Sequence, residues 1–344
     1  MQNSLSIYIL LGLPVFLSCC SEEVSFNGFP ETKYLLVSEV KQIEEVAMRY
    51  PFRIRVSDSC LFAMDLHGSE YYCHLFDYPS MQHIQSFAKR GRGPGEFLDA
   101  ENIRPTPAGC WILDANNAKL NYFQISGEES FIKEYPLDKH LIRCLDFDIY
   151  NDSMFIVPDY TGTHRFNILG SDAKIVESRG TIPCRKRDNT IPGMVYAQAW
   201  RGFLDYNPEN GLLAIATQLG DVVEIYSVAG DTTVNIIYGS EGEPRFAYSG
   251  GYAIPNGIMG YGDIYVGNKF IYALFWGHSF GDILKNQSIE GGNTIRVFDL
   301  SGKPVRQYIL DRYITGFCLD EEKGILIGTD VNSNQPVVEW KINN

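Results

Sequence analysis

Apolar residues in this chain fall in short runs of about five, each bounded by glycine, asparagine or aspartate, a length and punctuation that predict strands and not helices. Leu61-Phe62-Ala63-Met64-Asp65 is followed by Gly68 and by Tyr71-Tyr72-Cys73-His74-Leu75, two runs that a turn joins into a hairpin. The theme returns six times. The first repeat runs from Ile54 to Ala88 and the second from Lys89 to Tyr135. The third contains Leu145–Ile149, Met154–Asp159 and His164–Ile168, and the fourth runs from Phe203 to Tyr238. The fifth spans Ile264 to Asp299, with an insertion from Gly277 to Gly292, and the sixth spans Gly316 to Ile342. The period is ~45 to 58 residues, which is the length of a propeller blade with loop insertions. The segment from Thr181 to Ala199 lacks the pattern and is expected to be a loop between repeats.

The second repeat is the best formed. Gly91-Arg92-Gly93-Pro94-Gly95-Glu96-Phe97 lets the backbone turn sharply. After it come the apolar strand Gly109–Asp114, the turn residues Asn116-Asn117, and a strand ending in Tyr122-Phe123. A second glycine-rich exit stands at Gly239–Pro244. A phosphate loop is excluded: Glu96 occupies the third glycine position of a dinucleotide fingerprint, no Lys-Ser or Lys-Thr follows, and strands follow where such a loop needs a helix. This order of connector, strand, aspartate, turn and aromatic-ended strand resembles one blade of the TolB-like and NHL-like six-bladed β-propellers. The resemblance implies an all-β fold of six four-stranded antiparallel blades over residues 32–344. The sixth repeat supplies three strands, so the ring is expected to close with an N-terminal strand around Tyr34–Val37.

The N-terminus reads as an address. From Leu5 to Leu17 the chain is almost wholly apolar, too short to span a bilayer, and it ends at Cys19-Cys20. This resembles a bacterial lipoprotein signal over residues 1–19, which implies lipidation of Cys20 (or Cys19) and a tether over residues 20–31. Lipidation would hold the domain on a membrane. Ser21-Glu22-Glu23 resembles the acidic export tag of surface lipoproteins in the Bacteroidota, which implies the outer membrane, on its periplasmic or outer face. Asp152-Ser153-Met154 and Asp231-Thr232-Thr233 fit the short O-glycosylation pattern of the same bacteria.

Composition narrows the function classes. The formal charge of −13 over 344 residues leaves no basic footprint for nucleic acid. Six cysteines follow Cys20, at positions 60, 73, 110, 144, 184 and 318, with no zinc or haem spacing. Cys60 and Cys73 are the one pair placed for neighbouring strands of a hairpin; buried thiols suit the rest. No histidine lies in a metal-ligand pattern. Asp146, Asp148, Asp205, Asp263 and Asp320 stand at strand starts, where carboxylates either line a central channel and hold a hard cation or satisfy turn backbones.

Loop residues supply the remaining chemistry. Tyr160, His164, Arg165, Arg185 and Arg187 precede Tyr196, Trp200 and Arg201, and Tyr252, Trp276 and His278 come later. Rings with arginines suit stacking on a sugar or holding a peptide. The expected function is non-catalytic binding of a protein, peptide or glycan by a monomer without a cofactor. A metal-dependent hydrolase or lyase in the channel is the alternative.

Overall fold

The computed structural model describes Phe26 and residues 28–342, apart from 126–130, 152 and 286–289. Blades one to four are antiparallel meanders of four strands each. Blade one comprises Pro51–Ser57, Cys60–Asp65, Tyr71–Asp77 and His83–Lys89; blade two comprises Ala100–Thr106, Gly109–Asp114, Lys119–Gln124 and Phe131–Pro136. Blade three comprises Asp148–Asn151, Met154–Pro158, Phe166–Leu169 and Ile175–Arg179; blade four comprises Gly202–Asn207, Leu212–Thr217, Val222–Ser227 and Thr232–Tyr238. The first strand of each blade lies innermost; most touch the first strands beside them, and Arg104 of blade two reaches Asp148 of blade three.

Each blade has two apolar faces, and neither can be covered by the blade itself. The core is therefore divided between neighbours. Phe62, Phe87 and Phe123 join blades one and two, Leu120, Phe147 and Phe155 join two and three, and Ile156, Leu213 and Tyr226 join three and four. Val223, Ile264 and Phe298 join four and five, Leu274, Ile314 and Trp340 join five and six, and Ile54, Phe76 and Ile327 close six onto one.

The N-terminal segment closes the ring, with a division of labour beyond the expected strand. Blade five (Ile258–Val266, Phe270–Ser279, Gly292–Asp299, Pro304–Ile314) takes Thr32–Leu35 as a fifth strand, parallel to Pro304–Ile314. Blade six (Phe317–Asp320, Ile325–Thr329, Val337–Lys341) takes Glu39–Val40 as its fourth. Tyr34 and Leu35, expected on blade six, thus lie on blade five. Between the two, the Val37 N–H donates to the Asp311 carboxylate, which also accepts the Trp340 indole N–H at 2.9 Å. Lys41 then pairs with Glu339 at 3.2 Å. Hydropathy alone does not say which of two adjacent sheet edges an apolar strand will join.

Three elements lie outside the blades among the described residues, one of them the helix Phe280–Lys285 that follows the second strand of blade five. Within the segment expected to be a loop, Gly193–Ala199 is a short helix whose Tyr196, Ala197 and Ala199 are buried. Phe246–Ser249 and Tyr252–Pro255 form a hairpin over Gly250-Gly251, both at positive φ. The Ala253 N–H donates to Gln198 Oε1, so helix and hairpin brace each other. Among the described residues all six cysteines are free thiols. Cys60 is opposite Asp77 and Cys73 opposite Met64, which puts that pair at the two ends of one hairpin.

Candidate functional site

The channel is lined by charge, and the innermost strands explain why. Their inner edges carry N–H groups with no ladder partner, a cost unless some acceptor meets them. The strand-start aspartates are those acceptors. Asp146 accepts the N–H of Phe147 beside it and of Leu204 in the next blade, both at 2.8 Å. Asp148 accepts from Ile149 at 2.7 Å and from Tyr206 at 2.9 Å. Asp205 accepts from Val266 at 2.7 Å, and Asp263 accepts from Ile264 at 3.0 Å and from Phe317 at 3.1 Å. Each carboxylate stitches its blade to the following one.

Guanidiniums from blades one and two complete the lattice. Arg55 holds Asp263 through two bonds of 3.0 and 3.1 Å and donates to the Phe317 carbonyl. Arg104 reaches Asp146 at 3.3 Å and Asp148 at 3.1 Å. Arg53 is fully buried between the rings of Phe52 and Phe203 and bonds the Thr315 carbonyl. Burial lowers its pKa to about 10. Three cations thus face four carboxylates. Asp205 resolves the imbalance: burial and the neighbouring Asp148 push its pKa up to about 8, so it is largely protonated at neutral pH. Of the five aspartates considered for a cation, Asp146, Asp148 and Asp263 spend their oxygens on amides and guanidiniums, and Asp205 accepts an amide. Asp320 instead pairs with Lys323 at 2.7 Å. No group of three or more candidate ligands that could hold a metal occurs among the described residues.

A cleft of about 380 Å³ opens where the chain passes between blades and where the second and third strands turn. Ile142, Arg143 and Leu145 come from the connector into blade three, Tyr160 from a turn of that blade, and Leu219 from a turn of blade four. Gln198 and Arg201 flank the end of the helix, and Tyr252, Ala253 and Pro255 come from the hairpin. A smaller inner pocket shares Leu145, Tyr160 and Arg201 with the cleft and reaches Phe52 of blade one and Glu101 of blade two, at the channel mouth. Glu101 is held by Arg143 at 3.1 Å, and burial together with Asp99 raises its pKa to about 7.

Of the eleven loop residues marked in the sequence, Tyr160, Arg201 and Tyr252 meet in this cleft. Arg165, Tyr196 and Trp200 are buried beneath it. Arg165 binds Glu224 of blade four through Nε and Nη2, and Tyr196 and Trp200 anchor the helix in a cluster with Tyr160 and Val222. Arg185 stacks on Tyr238 and Arg187 on Tyr196, both at the surface. His164 donates its backbone N–H to Asp159. Trp276 and His278 belong to blade five, outside the cleft lining, with His278 stacked on Tyr313. The contribution of Ile142, Leu219 and Pro255 was missed. The Gly-Gly pair between Ser249 and Tyr252 is the one local signal that marks the hairpin.

A family model described as TolB-like 6-blade propeller-like matches residues 28–322. No curated protein matches the chain. Among solved structures, a "putative exported protein" of Bacteroides fragilis is similar at 11% identity and a TM-score of 0.60, over 91% of this chain and 99% of that one. A member of the DUF4221 family from Bacteroides vulgatus is similar at 13% identity and a TM-score of 0.52, over 88% and 98%. The WD40 repeats of RRP9, at 7% identity and a TM-score of 0.54 over 89% and 97%, share the propeller architecture.

Proposed function

This chain belongs to the family of TolB-like six-blade propellers, and on that basis we propose that it is a non-catalytic binding protein of the bacterial envelope, recognising a protein, peptide or glycan in the cleft at the channel mouth. The observation that carries this reading is the contrast between channel and cleft. Channel polar groups are largely occupied in joining blades, whereas the cleft combines apolar walls with a tyrosine and an arginine, Tyr160 and Arg201, whose hydroxyl and Nε have no hydrogen-bond partner among the described residues. Concave apolar sites with a few convergent polar groups are where ligands bind. The envelope assignment draws on the apolar leader ending at Cys19-Cys20, which lies outside the described residues, and on the exported description of the B. fragilis relative. No helix of the described residues is long and apolar enough to cross a membrane, so a lipid on Cys20 would be the attachment.

Two experiments test it. Peptide and glycan arrays probed with the wild type and with Ala253→Trp, which fills the cleft, should give hits that the variant loses. Hits that survive the variant, or none at all, would sink the reading. Cys20→Ala, made alone and with Cys19→Ala, should release the protein from the membrane fraction; continued membrane association of the double variant would remove the anchor.

A further inference from the structure

We infer that the cleft recognises its ligand through a carboxylate, seated on the Arg201 guanidinium and the Tyr160 hydroxyl, with an apolar body lying toward Leu219 and Pro255. The inference rests on the binding reading above and names the ligand chemistry of that same site.

Arg201 is the exception among the protein's inner arginines. Arg55 has Asp263, Arg104 has Asp146 and Asp148, Arg165 has Glu224, and Arg296 has Asp221 at 2.5 Å. Arg201, mostly enclosed in the cleft wall, has no ion pair and no side-chain hydrogen bond among the described residues, and its Nε is buried without a partner. Removing a guanidinium from water without an anion is costly, and burial lowers its pKa accordingly. The second orphan is Tyr160, only 6% exposed, whose hydroxyl has no partner. Buried tyrosine hydroxyls ordinarily find one.

The acceptors nearby are already in use. Gln198 Oε1 takes the Ala253 N–H, and Asp99 and Glu101 hold Arg143. Donors are left over, so the missing group is an acceptor with negative charge. A carboxylate offers two oxygens that suit one guanidinium and one hydroxyl. A phosphate dianion fits less well, because one free cation would meet two charges with Glu101 close behind. Ile142, Leu145, Leu219 and Pro255 then require that the carboxylate be carried on an apolar body.

The test is isothermal titration of the mature protein with two acids and their amides: octanoate against octanamide, and N-acetyl-leucyl-phenylalanine against its C-terminal amide. The expected result is that at least one acid binds about tenfold or more tightly than its amide, that Arg201→Gln abolishes the difference, and that Tyr160→Phe weakens the acid several-fold. The unfolding midpoints of both variants should stay at or above that of the wild type, since neither loses a partner in the fold. Which acid prefers the site distinguishes an aliphatic acid from a peptide C-terminus. Equal binding of acid and amide, or acid binding unchanged in Arg201→Gln, would overturn the carboxylate while leaving the cleft as a binding site. If array ligands bind in the cleft and neither acid does, the inference also falls.

Discussion

At the scale of single residues, the same side chains carry different meanings in sequence and in space. An aspartate at a strand start reads first as a turn acceptor and second as a metal ligand. Asp146 shows the difference, because its oxygens meet Phe147, one residue away, and Leu204, 58 residues away, and only the second contact makes it an interblade stitch. Asp205 extends this to pH. Its folded pKa near 8 lies above the usual aspartate value of about 3.9, so between those values the folded chain holds a proton that the unfolded chain has lost. Its contribution to stability is therefore full below pH ~4 and is lost as pH rises through 8. Glu101, at about 7, acts in the same direction. Asp205→Asn keeps an acceptor for Val266 and removes the titration. Urea unfolding from pH 5 to 9 should show a wild type that weakens on the order of 3 kcal/mol and a variant with a flatter profile, at about 1.4 kcal/mol per pKa unit discounted for relaxation. Parallel profiles would refute the assignment. Glu224→Gln strands the Arg165 charge in the interior and should cost about 3 to 5 kcal/mol, while joint replacement by Arg165→Met and Glu224→Leu should recover most of it. Denaturant melts of the single and double variants check this.

At the scale of elements, local signals carried much of the fold. The second repeat shows why: its glycine connector, strand-end aspartate and Asn-Asn turn all act within a few residues. Asp114, for instance, accepts the N–H groups of Leu98 and Asn117. The helix Gly193–Ala199 escaped because seven residues give too little periodicity; the closing N-terminal strand was legible, but its division between blades five and six was not, because the partners lie some 270 to 300 residues away. Trp200 and Tyr196 read as binding rings but serve as the floor under one. Two predictions belong here. In Gly239→Ala the new Cβ would lie about 2.1 Å from the Asp221 carboxylate, the partner of Arg296, so a loss of about 2 to 4 kcal/mol is expected; an unchanged denaturation midpoint would show that the connector yields freely. A chain starting at Gln42 lacks both closing strands and should melt at least ~5 °C lower with a broader transition. A thermal scan identical to that of the mature protein would mean that the ring holds without them.

At the scale of the whole molecule, six blades share an apolar core between neighbours and a ladder of Asp–amide and Asp–Arg contacts around the axis. The proposed recognition site lies at the rim, where the helix and the hairpin build a cleft that no repeat supplies alone. The most direct test of this division asks whether the channel aspartates hold the blades or hold a cation. Elemental analysis of the mature protein purified without chelator should be joined to thermal unfolding of the wild type, with and without EDTA, and of Asp263→Ala. The expected result is no stoichiometric divalent ion, an unfolding midpoint indifferent to EDTA, and a drop of about 5 to 10 °C in Asp263→Ala, because Arg55 and the Phe317 N–H lose their acceptor. One divalent ion per chain, with a midpoint that falls when EDTA removes it, would contradict that division and place chemistry in the channel.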